Sequence, residues 1–249
     1  MNKIIINHPN LNNGEETILF TAMSEKQNKT QIAEIFSEEH YKKGRIKKNM
    51  TIIDCGANIG LASLYFKDWA KEIYAIEPSS QHYQALVKNV APYKHIKTFN
   101  FGLGAQNTQE VLSSNDAGDI PESLFGRGTI HEQITLITLE QFMQDNKITH
   151  VDLLKIDTEG AEYVIFPSLG FKKVAHNIDY IIGEGHQFEK LIPEFIPLIL
   201  ADAGFDTKFL PFDNIYFTMS FDDSEAKSEY TVNKQTIFFA KRKELEWPN

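Results

Sequence analysis

The sequence predicts an α/β domain in which a mostly parallel sheet carries helices on both faces. Three observations predict it. From Thr51 onwards, short β-branched runs alternate with stretches of helical spacing. The first run ends in a glycine-rich turn, Asp54-Cys55-Gly56-Ala57-Asn58-Ile59-Gly60. The second ends in Glu77-Pro78-Ser79, a strand-to-helix break that begins with an acid.

Each element has its own signal. Residues 1–49 are mixed and weakly periodic, and read as a cap or lid leading into the main domain, residues 50–249. Within the cap, Gln31 to Phe36 fits a short amphipathic helix with Ile32, Ile35 and Phe36 on one face. Thr51–Cys55 is the first strand. A helix over Ile59–Trp69 follows, with Leu61, Leu64 and Tyr65 at helical spacing. Glu72–Ile76 is the second strand, and Ser79 or Ser80 caps a helix running to about Val90. His95–Phe99 completes β-α-β-α-β, hence a parallel sheet. Gln109–Leu112 and Gln133–Ile137 can pair as a small hairpin around a loop, Ser113–Ile130. That loop is too long for a simple connection and reads as a lid. Thr138 caps a helix to Asn146, Val151–Ile156 is the fourth strand, and a helix opens near Thr158. Asp179–Gly183 is the fifth strand, and Gly204 stops a helix over Pro193–Ala203. Gly204–Leu210 and Thr236–Ala240 are the last strands, paired antiparallel.

Composition narrows the function. The 249 residues are 42% hydrophobic and 24% charged, ordinary for a globular chain with one sizeable core. Acids outnumber bases 34 to 25, a net charge of −9 that repels nucleic-acid phosphates over most of the surface. The basic run from Lys42 to Lys48 reads as a solvated loop or helix end, the alternative being a patch for an anionic substrate or membrane surface. Cys55 is the single cysteine, so there is no intrachain disulfide; it sits in an apolar strand as a small hydrophobe. No stretch approaches the ~20 apolar residues of a membrane span, and the N-terminus lacks the apolar core of a signal peptide. A cytoplasmic location is expected.

The turn after the first strand, with Glu77 at the end of the second, indicates a nucleoside-containing cofactor. Glu77 suits both ribose hydroxyls. Charge selects the cofactor: Asp54 would repel a pyrophosphate, and Asn58 stands where a dinucleotide-binding turn has its middle glycine. An ammonium and a sulfonium would instead be attracted, by an amount on the order of kilocalories at ~4 Å. S-adenosylmethionine is therefore expected, held by Asp54, Gly56, Asn58, Ile59, Gly60, Glu77 and Pro78. Each motif alone also has a plain structural reading, as a helix cap for Asp54 or an ordinary turn for Glu77-Pro78-Ser79.

The chain resembles the FkbM family of methyltransferases. Three segments carry the likeness: Ile52 to Gly60, Ala75-Ile76-Glu77-Pro78, and Asp152-Leu153-Leu154-Lys155-Ile156-Asp157-Thr158-Glu159-Gly160-Ala161-Glu162. Thr138-Leu139-Glu140 and Glu184-Gly185-His186 fit two further family features. The resemblance implies a Rossmann-like seven-stranded sheet of order 3-2-1-4-5-7-6, strand seven antiparallel. It also implies S-adenosylmethionine as methyl donor and, commonly, O-methylation of a hydroxyl on a sugar or natural product. Gly102, Ser123 and Asp157 join the cofactor set, Ser123 matching a serine that the family places near the cofactor. Gly183-Glu184-Gly185 departs from the bulkier residues usual there.

In this architecture the residues after strand four face the methyl group. Asp157 either touches the cofactor or acceptor, or caps the helix from Thr158. His186 is the first candidate for general base, because an ordinary histidine titrates near working pH. Glu184 orients it or binds substrate, and Glu159 completes the catalytic set. Asp157, Glu159 and Glu184 also offer the hard oxygens that Mg²⁺ favours, but no metal is assigned. Glu162 reads as favourable charge at a helix N-terminus. Lys155 reads as half of a buried ion pair, with Glu162 as partner. Arg127 between glycines, and Phe212, Asp213, Asn214 and Tyr216, are candidates to close the acceptor pocket. The absence of an Asn/Asp-Pro-Pro-aromatic motif after strand four argues against nucleic-acid methylation. Two other readings stay open: a cofactor-binding scaffold without turnover, and an NAD-dependent oxidoreductase.

Overall fold

The computed structural model describes residues 1–9, 11, 14–114, 130–187, 192–210 and 236–248. It opens with an element the sequence did not announce, an antiparallel hairpin of β1 (Asn2–Ile6) and β2 (Thr17–Thr21). Helix α1 (Glu25–Ile32) starts at a reciprocal cap between Ser24 and Gln27 and continues as a π-helical turn, Ala33–Ser37. The helix expected at Gln31–Phe36 is the end of this longer element.

The main sheet then builds in the expected order. Its strands and helices are β3 (Met50–Cys55), α2 (Leu61–Phe66), β4 (Ala70–Ile76), α3 (Ser80–Val90) and β5 (Ile96–Phe99). A side sheet of β6 (Gly102–Leu103), β7 (Thr108–Ser114) and β8 (Ile130–Ile137) follows, and contains the expected hairpin with Gln109 opposite Thr135. The chain continues through α4 (Leu139–Asp145), capped by Thr138, then β9 (Val151–Ile156), α5 (Glu162–Ile165), α6 (Leu169–Val174) and β10 (Ile178–Gly185). It ends with α7 (Ile196–Asp202), β11 (Phe205–Phe209) and β12 (Thr236–Arg242).

The seven-stranded sheet runs β5-β4-β3-β9-β10-β12-β11. In sheet numbering this is 3-2-1-4-5-7-6, and β12 is antiparallel to both neighbours. Strands β3 and β9 are buried on both faces, which is why they read as continuous apolar runs. Successive residues supply opposite cores. Ile53, Leu154 and Ile156 pack with Phe142, Phe166 and Phe171 on one face. Ile52 and Leu153 pack with Leu64, Phe66 and Leu86 on the other, and there Leu11, Leu19, Phe36 and Tyr41 of the N-terminal segment join the same core.

Two expectations are corrected. The helix after β9 begins at Glu162 rather than Thr158, because residues 158–161 form a turn with Glu159 and Gly160 at φ +52° and +102°. The capping role of Ser79 passes to acids: Glu77 accepts from the Ser79 N–H, and Glu132 from the Ser80 N–H. The basic run is a short helical turn and loop whose four lysines are exposed, as expected, and several of its side chains are also paired. Lys42 and Arg45 pair with Glu39, Arg45 lies 3.7 Å over the Tyr65 ring, and Lys47 lies 2.6 Å from Asp152. The run thus clasps the N-terminal segment to the sheet. Among the described residues, no helix is long and apolar enough to cross a membrane.

Candidate active site

The parallel strands β3, β4, β9 and β10 end side by side, and the turns that follow them converge. At the end of β3, Gly56 has φ +76°, and a Cβ there would lie 1.7 Å from the Asp157 carbonyl oxygen. Only glycine lets the turns after β3 and β9 approach so closely. Asn58 is left-handed as well, at φ +50°. Its N–H donates to Glu77 Oε2 at 2.8 Å, while Ser79 N–H donates to Oε1 at 2.9 Å. Glu77 is thus fixed by one backbone donor on each oxygen. Gly56 and Ala57 both donate to the Ile76 carbonyl, and Gly60 to that of Ala57.

An expectation changes here, the direct contact of Asp54 with the cofactor. The turn's amides at 56, 57, 58 and 60 are spent within the protein, so they form no cradle for a pyrophosphate. Asp54 has no exposed surface: Ser63 Oγ donates to it at 2.6 Å, and Lys155 Nζ stands 3.3 Å away. Its charge is matched inside the protein, and the acid that reaches the open side is Asp157, whose side chain is 25% exposed. The partner of Lys155 is thus Asp54, with Asp157 at 3.6 Å, rather than Glu162; Nζ also donates to the Gly56 carbonyl. Burial opposes the charge of Lys155, but the two aspartates outweigh it and raise its pKa.

Glu162 has a different task. Fully buried, it accepts from the Thr158 and Gly160 N–H groups and the Thr158 hydroxyl, at 2.7 to 2.9 Å. This brace imposes the left-handed turn that aims Glu159, at a backbone cost of roughly 1–2 kcal/mol. Strand β10 extends beyond Gly183 to Gly185. A Cβ at Gly183 would lie 2.1 Å from the Ile156 carbonyl oxygen, so the unusual glycine serves close strand approach. Extension brings His186 into the cluster, where Tyr163 OH donates to its carbonyl at 2.7 Å.

His186 Nε2 faces Glu159 at 3.4 Å, Asp157 at 3.7 Å and Glu184 at 3.8 Å, and Nδ1 faces Glu162 at 3.5 Å. Burial alone would lower its pKa, but Glu159, Glu162 and Asp157 raise it well above the usual histidine range. A cationic imidazole has no lone pair to accept a proton, which removes the argument for His186 as base. Burial, then Asp157, raises Glu184 far above ordinary carboxylates. Burial also raises Glu159 to about 7, against the pull of His186.

The N-terminal segment supplies two members that carried no motif. Tyr41 OH donates to Asp157 Oδ2 at 3.1 Å, and its ring lies 5.5 Å from Lys155 Nζ. Glu34, from the π-helical turn, sits close enough that burial, Asp157, Glu38 and Glu159 raise it to about 7. Of the remaining candidates, Ile59 is core, with its carbonyl accepting from Asn89. Gly60 precedes α2 at φ +94°. Pro78 lies under Asn100, which donates to its carbonyl, and Gly102 is buried against Leu136. Ser123, Arg127, Phe212, Asp213, Asn214 and Tyr216 lie outside the described residues, as does most of the proposed lid.

A sheet of this order with a reversed seventh strand, an acid buried near the end of the first strand and another just after the second, defines the class of S-adenosylmethionine-dependent methyltransferases. Residues 54–207 match the methyltransferase FkbM domain, and the chain belongs to that family. Methyltransferase sdnD of Sordaria araneosa is 26% identical over 216 residues, spanning 70% of this chain and 80% of the relative. Looser likeness exists to a precorrin-6y C5,15-methyltransferase of Geobacter metallireducens, 13% identical with TM-score 0.49 over 90% of this chain and 95% of that one. An S-adenosylmethionine-dependent methyltransferase of Aquifex aeolicus is 14% identical, with TM-score 0.45 over 87% and 95%.

Proposed function

We propose that the enzyme methylates a hydroxyl oxygen of a small-molecule or carbohydrate acceptor. One observation carries this reading: Asp157, Glu159 and Glu184 gather at the ends of β9 and β10, beside the turn expected to hold the cofactor. A hydroxyl must lose its proton as its oxygen is methylated, and carboxylates at the mouth give that proton a destination. Asp157 and Glu159 are suited to it, their side chains being 25% and 31% exposed.

The residues after β3 and β4 fit S-adenosylmethionine. Glu77 is a buried carboxylate just past the second strand, an acceptor type that suits ribose hydroxyls, and Asn58 Oδ1 is buried without a hydrogen-bond partner among the described residues. When bound, the cofactor supplies an electrophilic methyl carbon. Glu77 would hold its ribose, Asp157 its cationic end, and Tyr41 would fix the Asp157 carboxylate through the 3.1 Å hydrogen bond.

Thermal shift with S-adenosylhomocysteine, S-adenosylmethionine and NAD tests the cofactor half. At ~100 times the dissociation constant a ligand stabilises by ~2.7 kcal/mol. We expect stabilisation by the first two alone, weakened about tenfold or more in affinity in Glu77→Ala, where two charge-stabilised contacts vanish. Stabilisation by NAD alone would overturn the reading. A panel of hydroxylated acceptors, scored by mass for a gain of one methyl group, tests the other half; transfer confined to amines or thiols would sink it.

A further inference from the structure

The cluster around His186 holds more than the methyl transfer requires. His186 is 6% exposed, and neither ring nitrogen has a hydrogen-bond partner among the described residues. A charge-assisted N–H···O bond closes to about 2.7–2.9 Å. Around Nε2 two carboxylates of the turn after β9 and one near the end of β10 stop at 3.4 to 3.8 Å instead.

We propose that Asp157, Glu184 and His186 form a binding site for one divalent first-row cation of the Mn²⁺ type, on the acceptor side of the methyl-donor pocket. One ligand atom from each lies within 4.8 Å of the other two, near the reach of three donors on a shared ion. The frame is rigid. Tyr41 engages Asp157 Oδ2 and leaves Oδ1 turned to His186; Glu162 locks the turn after β9; Tyr163 holds the His186 carbonyl. The local charge also calls for a cation. Lys155 is the lysine within reach of Asp157, while four carboxyl groups, of Asp157, Glu159, Glu162 and Glu184, surround His186 at 3.4 to 3.8 Å.

The opposite end of the sheet provides the contrast. His150, Asp152 and Asp179 likewise offer one imidazole and two carboxylates within 4.8 Å of one another. There Lys47 lies 2.6 Å from Asp152 and Arg242 lies 3.4 Å from Asp179, so the protein supplies its own cations. At the cofactor end no arginine and no second lysine pairs with Asp157 or Glu184 among the described residues. The ion takes the place of the proton on His186 Nε2, which is released on binding, and one neutral imidazole with two carboxylates suits Mn²⁺ better than the all-oxygen shells of Mg²⁺ or Ca²⁺. Three protein ligands leave positions open for water or for acceptor oxygens. That use of the site rests on the hydroxyl-methylation reading, whereas the site itself does not.

The test uses the full chain, treated with chelator and titrated with Mn²⁺ alone. The loss of the free aqua-ion electron paramagnetic resonance signal reports binding. We expect one Mn²⁺ per chain, weakened at least tenfold in Glu184→Gln and in His186→Ala, as removal of a ligand predicts. Both variants should keep their thermal stabilisation by S-adenosylhomocysteine, which separates ligand loss from unfolding. Wild-type binding weaker than about 1 mM, or binding undiminished in both variants, overturns the proposal. Failure to methylate any hydroxyl leaves this readout untouched and is thereby distinguished from it.

Discussion

Asp54 keeps its charge in a position without exposed surface because Lys155 is its direct neighbour across the β3–β9 register. Each charge alone in that interior would be severely penalised, whereas the pair, with Ser63 and the Gly56 carbonyl filling remaining positions, is tolerable. Lys155→Met should therefore destabilise by about 3–5 kcal/mol, and Asp54→Asn combined with Lys155→Met should recover most of it. Urea midpoints of the three proteins decide the matter; a single variant as stable as wild type would show that the pair does not hold the charge. The sequence made the turn at 54–60 and Glu77 legible, since glycines and acids at strand ends are local signals. It made the existence of a partner for Lys155 legible too, but not its identity. Which acid meets Lys155 depends on strand register, a long-range quantity. For the same reason a histidine three residues from Gly183 looked like a base, until the four carboxylates around it were known.

At the scale of elements, the hairpin β1–β2 shows how a segment can escape a periodicity argument. Strands of five residues carry too few positions to display a period, and the Asn13-Gly14 pair between them sits inside a long connection, residues 7–16, rather than in a two-residue turn flanked by the strands. What docks the hairpin is one side chain of α3. Asn89 Oδ1 accepts from the Phe20 N–H at 2.6 Å, and Nδ2 donates to the Phe20 carbonyl at 2.9 Å and the Ile59 carbonyl at 2.8 Å. Asn89 thereby replaces a strand neighbour for β2 and ties it to the residue before Gly60. Asn89→Ala leaves the Phe20 N–H and two carbonyls without their partner, at about 1–3 kcal/mol for such a group. The expected result is a loss of that order in stability, with faster amide hydrogen exchange in β2 than in β9. Unchanged exchange at Phe20 would mean that apolar packing of Leu19 alone holds the hairpin. The core of the sheet was legible for the converse reason: β3 and β9 are apolar on both faces, so their sequence needs no partner to be recognised.

Across the whole molecule, the excess of acids is handled differently at the two ends of the sheet. Where β9 and β10 begin, Asp152 and Asp179 meet Lys47, His150 and Arg242. Where they end, Asp157, Glu159, Glu162 and Glu184 meet Lys155 and His186, and Glu34 is added from the N-terminal segment. A site kept this acidic stores unfavourable energy in the unliganded protein, to be relieved by whatever cation enters. Glu34 measures that energy, because it joins the repulsion from a separate element. Its carboxyl is raised from 4.5 to about 7 by burial first and by Asp157, Glu38 and Glu159 next. Below pH 4.5 it is neutral folded and unfolded alike. As pH climbs through 7 the folded state must ionise it against its neighbours, so the stability that the neutral group allowed is lost. Glu34→Gln stays neutral throughout. Without added cofactor or divalent cation, variant and wild type should have similar urea midpoints near pH 4.5, and the variant should be more stable by roughly 1–3 kcal/mol at pH 8. Added cation should narrow the gap, since it relieves in the wild type what the substitution has already removed. A gap of the same size at both pH values would trace the effect to packing of the amide and leave the acidic end of the sheet without stored electrostatic energy.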